Sequence, residues 1–202
     1  MSGGSAGRAM HGGPDHCVMS GNEWTRDFDL SVRVRTGEQL AAVLDVLKDC
    51  RIARIYAEYP LLLTREQGIE ESIKRIHNNG IAIYAALSHM LREEMGRNGI
   101  DAVRRALEPE TVSGALVRNL EEAAYLKETG YPGRVQADQA LAPWNRTSLS
   151  ELLALVDEWT ISPELSFREI AELPPDETAE LVVYGRTPMM VSAGCVRRTT
   201  GR

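Results

Sequence analysis

Ten polar residues recur at one kind of place in this sequence, directly after a short β-branched or apolar run: Arg35, Glu58, Ser88, His89, Arg118, Asn119, Asp138, Asn145, Glu164 and Arg186. In a (β/α) barrel the loops following the strands build the active face, so polar residues there take a functional reading first. His89 adds an imidazole that titrates near neutrality and passes protons. Glu58, Asp138, Asn145, Glu164 and Arg186 are therefore the candidate catalytic residues. Each has a structural alternative. Asn119 has the position of a helix cap, while Arg35 and Arg118 suit ion pairs around a rim. Glu164 belongs to Ser-Pro-Glu-Leu directly after a strand, where a carboxylate would point into the mouth of a barrel. His89 has no paired Ser, Cys or metal cluster beside it, and His77, before Asn78 in a helical stretch, reads as a surface residue. No GxSxG, HExxH, Walker loop or nicotinamide fingerprint occurs in the chain.

The runs that would position these residues are spaced 30–35, 53–58, 81–88, 113–119, 134–138, 159–165 and 180–185. Between them lie apolar residues at helical spacing, such as Leu40, Val43, Leu44 and Leu47, then Ile69, Ile73 and Ile76, then Ile100, Val103 and Leu107. Capping pairs mark the helix starts: Thr36 with Gln39, Thr64 with Gln67, Asn119 with Glu122, Ser148 with Glu151 and Ser166 with Glu169. Asn79-Gly80 and Thr129-Gly130 mark helix ends. Strands joined by helical crossovers become parallel, and unbroken βα units without a glycine-rich fingerprint favour a (β/α) barrel over a dinucleotide fold. The expected class is α/β, a TIM-barrel-like parallel (β/α) barrel with seven strands, irregular or incomplete because eight strands close the usual barrel.

Composition narrows the setting. The 202 residues carry a net charge of -6, 43% apolar and 5% aromatic side chains, which describe a globular chain and argue weakly against bulk nucleic-acid binding. Residues 1–22 are glycine-rich without apolar periodicity and read as a flexible leader or an expression remnant, leaving 23–202 as the barrel domain. His11, His16 and Cys17 are metal-ligand types in that segment, but a mobile tail fixes no ligand geometry, so no metal site is expected within the chain. Cys17, Cys50 and Cys195 form no CxxC pair, which fits a reducing, cytoplasmic location. No run is long and apolar enough for a membrane span, and no membrane partner is expected.

The stretch 180–202, ELVVYGRTPMMVSAGCVRRTTGR, resembles the collagenase-like peptidase family U-32. The likeness is to the second barrel near the C-terminus of its long members, where a Tyr-Gly-Arg-x-Pro-x-Met-Val-x-x-x-Cys segment follows the last strand. LSVRVRTGEQL with RIYAE, GALVRNLEEAAYL, VQADQALAPWN and WTISPELSFREI are similar as well, so the resemblance covers about residues 29–202. It implies a fragment of a longer enzyme acting on protein or peptide substrates, inactive by itself, with the remaining domains of that parent as partners. Several relatives instead bind an iron–sulfur cluster through four cysteines and support hydroxylation of RNA bases or a small molecule. In this chain only Cys195 matches a family cysteine, and the chain stops where the family's Cys-x6-Cys pattern would place the next one. The resemblance thus implies a cluster only if a parent supplies further cysteines. The remaining alternative is a module that binds RNA or peptide for another domain, for which Arg186, Arg197, Arg198 and Arg202 would suit phosphate contacts.

Overall fold

The computed structural model describes residues 29–47, 51–64, 67–89, 103–108, 110–173 and 178–186. Seven strands form one sheet in chain order: β1 (Leu30–Val34), β2 (Ile52–Glu58), β3 (Ala82–Ala86), β4 (Gly114–Val117), β5 (Arg134–Ala137), β6 (Glu158–Thr160) and β7 (Ala179–Glu180). Every neighbouring pair is parallel. Helices α1 (Gly37–Val46), α2 (Tyr59–Leu63), α3 (Gln67–Asn78), α4 (Leu120–Glu128), α5 (Arg146–Leu153) and α6 (Phe167–Glu172) alternate with the strands, and residues 103–106 are helical before β4. The sheet curls into a half-barrel, an incomplete (β/α) barrel. Among the described residues no ladder joins β7 to β1.

Alternation along the strands divides the chemistry. One set of side chains, including Val34, Ile55, Ala57, Ile83, Ala85, Ala115, Val117, Val135 and Trp159, packs with Leu40, Leu44, Ile76, Ala123, Leu126, Leu149 and Leu152 of the helices in a single apolar core. The opposite set faces the concave interior and is largely polar: Arg33, Arg54, Tyr56, Tyr84, Gln136 and Glu158. A period of two makes this separation obligatory, since each strand presents alternate residues to opposite faces.

The helix boundaries follow from capping, with corrections to the sequence reading. Ser166 and Glu169 form the expected capping box on α6, and Thr36 caps α1 by accepting from the Gln39 amide. The cap of α5 lies three residues before the expected Ser148: Asn145 is the cap and Ser148 its reciprocal partner. The Thr64 hydroxyl donates to the Pro60 carbonyl at the end of α2, and residues 65 and 66, over which the expected Thr64–Gln67 cap would form, lie outside the described residues. Gly80 and Gly130 adopt the left-handed conformation at helix ends as expected. The last run, 180–185, contributes only Glu180 to the sheet, and Leu181 to Arg186 lie outside it, exposed.

At Gly114 strand β4 lies close to both of its neighbours. A Cβ there would lie 2.5 Å from the Arg134 carbonyl oxygen and 2.7 Å from the Tyr84 ring, so no side chain fits without moving backbone. We expect Gly114→Ala to destabilise the fold by about 1–3 kcal/mol, as overpacking does, lowering the midpoint of a thermal melt by several degrees. An unchanged melting temperature would mean that β3 to β5 do not pack this tightly.

Candidate functional site

Four charged side chains meet at the carboxyl ends of β1, β2, β4 and β5, the end of a (β/α) barrel where active sites are built. Arg118, just past β4, grips Glu58 in a two-pronged pair, with Nη2 2.8 Å from Oε1 and Nη1 3.1 Å from Oε2. Its Nε donates to Asp138 Oδ2 at 3.1 Å. Arg33 approaches the same two carboxylates from β1, with Nη2 2.9 Å from Glu58 Oε1 and Nη1 3.4 Å from Asp138 Oδ2. The two positive and two negative charges balance. They differ in access: the Arg118 side chain is 3% exposed and fully occupied, whereas that of Arg33 is 32% exposed.

Burial alone would raise the Glu58 pKa, but hydrogen bonds and charge from Arg118, then Arg33, outweigh it and hold the carboxyl below its ordinary value. Glu58 is therefore ionised at neutral pH and fixes the guanidinium groups rather than giving up a proton. His89 follows β3, and its pKa is lowered, first by burial and then by the Arg118 charge, against the opposing pull of Asp138. A neutral imidazole within the field of Arg33 can accept a proton while Arg33 holds an anionic group.

Beneath the clamp lies a buried carboxyl. Glu122, in the first turn of α4, accepts from the Arg118 backbone N–H at 3.0 Å through Oε2, while its buried Oε1 has no hydrogen-bond partner. Burial pushes its pKa up to about 7 despite the Arg118 amide and charge.

A second polar network fills the amino-terminal part of the interior. Arg54 pairs with Glu158 at 2.8 Å and Glu180 at 3.3 Å, and donates to Gln136 Oε1 at 3.2 Å. Its guanidinium lies 4.4 Å from the centre of the Tyr84 ring. The Tyr56 hydroxyl donates to Glu180 at 2.7 Å, and Ser31 donates to the same carboxylate at 2.6 Å. Burial pushes the Tyr84 phenol up to about 12, so it stays protonated as a donor toward Glu158.

Of the candidates from sequence, Glu58 and Asp138 are brought together, and Arg118 is the ion-pairing residue that holds them. Asn145 is not in the clamp; it is exposed and spends its side chain capping α5. Glu164 is exposed too, beyond the turn in which its amide donates to Ser162 Oγ. Arg186 is exposed six residues past the last paired residue of β7. Asn119 caps α4, accepting from the Glu122 amide. Arg35 lies beyond β1, exposed, with its amide bonded to Gln39. The arginine that joins the site is Arg33, two residues earlier, and its signal was the Val-Arg-Val alternation that turns it opposite to Val32 and Val34. Cys195, Arg197, Arg198 and Arg202 lie outside the described residues, as do His11, His16 and Cys17.

Fold and site together define a parallel (β/α) half-barrel with a charge-balanced arginine–carboxylate clamp at its mouth. No protein-family model matches the chain, and a search of curated proteins gives no match.

Replacing Arg118 by Ala would leave Glu58 and Asp138 desolvated and short of donors, a change that costs about 3–5 kcal/mol for a buried pair. Urea denaturation should show this loss, with Arg33→Ala milder because Arg118 still holds both carboxylates; equal effects would contradict the clamp geometry. The pH dependence has two opposing parts. Glu58, with its lowered folded pKa, adds stability above the ordinary carboxylate range that is lost as pH falls through its folded value, below about 4.5. Glu122 behaves oppositely: between its reference value of 4.5 and about 7 the folded state binds the extra proton, so stability declines as pH rises through that window. Each unit of difference is worth about 1.4 kcal/mol, and Glu122→Gln should flatten the decline. A variant whose stability falls as steeply as the parent's between these pH values would show that another group titrates there.

Proposed function

We propose that this chain is the substrate-holding barrel of an enzyme similar to the U-32 collagenase-like peptidases, acting on an extended peptide within a longer parent. The observation that carries this reading is the accessible Arg33 guanidinium, held in place by Glu58 and Asp138 at the carboxyl end of the sheet. An arginine fixed in this way is preorganised to take a peptide carboxylate through two parallel hydrogen bonds. Around the same end, the connections after β5, β6 and β7 expose Trp144 (53%), Phe167 (87%) and Tyr184 (97%), giving apolar platforms for side chains of a bound polymer. His89 would take or relay a proton near the bound group.

The four clamp residues supply no nucleophile, since both carboxylates are engaged by guanidinium groups. This chain should therefore bind without sustained turnover. We expect a fluorescently labelled acidic peptide to bind the full chain, with Arg33→Ala weakening it about tenfold or more, the scale of a charge-assisted hydrogen bond. Unchanged affinity in that variant would remove the clamp from the site. Cleavage of gelatin or short peptides that survives repurification and disappears on one point substitution would reveal a nucleophile elsewhere in the chain.

A second reading, iron–sulfur-dependent hydroxylation of RNA or a small molecule by the parent, rests on the Tyr-Gly-Arg-Thr-Pro to Cys195 segment. The three cysteines of this chain do not complete a four-thiolate cluster, so further ligands would come from the parent. Anaerobic purification of the parent with iron and sulfide analysis separates the two: a brown protein that bleaches on Cys195→Ala supports the cluster, and an iron-free one removes it.

A further inference from the structure

Among the described residues the sheet has one open seam, between β7 and β1. Ser31 Oγ donates to Glu180 Oε1 across it at 2.6 Å, and because every ladder is parallel, both strands run from that contact toward the mouth. On the β7 side the chain continues through Leu181, Val182, Val183 and Tyr184, all exposed, and among the described residues the backbone from Leu181 to Gly185 makes no hydrogen bond. No charge or proline blunts that edge between Glu180 and Arg186. On the β1 side, Arg33 stands two residues beyond Ser31, roughly 7 Å along the strand. Arg35 follows after the same step; it and Arg186 are exposed and make no ion pair among the described residues. The chain carries a net charge of -6, yet its seam offers three accessible guanidinium groups to an anion.

We propose that, given the peptide-holding role proposed above, the seam takes an acidic peptide as an added strand, with its backbone on the free groups of Leu181 to Val183 and two carboxylates on Arg33 and Arg35. An extended chain turns alternate side chains to one face, so carboxylates two residues apart match the step from Arg33 to Arg35. Main-chain pairing supplies affinity that is indifferent to sequence, and the arginines select acidic residues at alternate positions. Apolar side chains between those acids meet the exposed Leu-Val-Val-Tyr stretch. The peptide thus enters in a fixed, extended conformation, and the carboxylate on Arg33 sets its register.

The test measures binding of the full chain to a fluorescent ten-residue peptide with Glu at every second position and Val between. Two N-methylated versions block alternate sets of its backbone N–H groups. One set should weaken binding about tenfold or more and the other far less, because a strand turns only every second N–H toward its partner. In the chain, one of Val182→Pro and Val183→Pro should cost about the same factor, since proline removes the N–H. A peptide of the same composition with its Glu residues consecutive should bind about tenfold more weakly. Loss of binding in Arg33→Ala with equal effects of the two N-methylated sets overturns the added strand and leaves the clamp as a carboxylate site. Unchanged binding in Arg33→Ala overturns both. Oligouridine bound as tightly as the peptide overturns the choice of occupant, and so does a dimer seen by light scattering that Val183→Pro dissolves.

Discussion

Among the described residues no ladder joins the first and last strands of this parallel sheet, so some other force must keep its concave face closed on itself. In this protein the force is the Arg54 guanidinium. It rises from β2 and bonds to Gln136 on β5, Glu158 on β6 and Glu180 on β7, crossing the interior that an apolar core would otherwise fill. Ser31 on β1 then reaches the same Glu180 carboxylate, so first and last strands are connected by side chains instead of backbone. Without those bonds the interior would hold unpaired charges in a desolvated space, which is far less favourable than leaving them in water. The curl and the polar interior thus depend on each other.

The same reasoning explains the rim. Arg118 is almost wholly buried, a condition tolerable only because each face of its guanidinium meets a carboxylate. Placing Glu58 at the end of β2 and Asp138 just past β5 gives those contacts without any loop having to fold inward. Arg33, one strand farther round, completes the charge balance while keeping part of its surface open. A site with zero net charge and one accessible guanidinium selects by geometry more than by long-range attraction, which accords with the acidic balance of the whole chain.

What the sequence made legible was the part governed by local rules. The strands β1 to β5, the parallel order and the helix ends at Gly80 and Gly130 follow from period-two runs, short connections and left-handed glycines. The carboxylates Glu58 and Asp138 follow from counting to a strand end. Counting failed where a strand was shorter than its apolar run. The run 159–165 contains Pro163 and contributes only through Thr160 to β6, so Glu164 falls outside; the run 180–185 leaves the sheet after Glu180, carrying Arg186 away. Asn145 shows a different failure, since a cap and a site residue have the same composition and the same place after a strand. The interior arginines were missed for the converse reason. Arg33 and Arg54 sit inside strands, where a charged residue reads as solvent-facing unless partners from distant strands are known, and those partners lie 105 and 126 residues away in the chain.

The misplaced Glu164 and Arg186 both follow the last two strands, and that has a physical meaning. Strands β1 to β5 carry the clamp, while the carboxylates that answer Arg54 come from β6 and β7. Strands β6 and β7 are short, and their connections expose Phe167, Val183 and Tyr184. The mouth at β1 to β5 holds charges fixed by ion pairs, whereas the connections after β6 and β7 offer exposed apolar contact area. Such a division lets one side orient a charged group while the other accommodates whatever is attached to it.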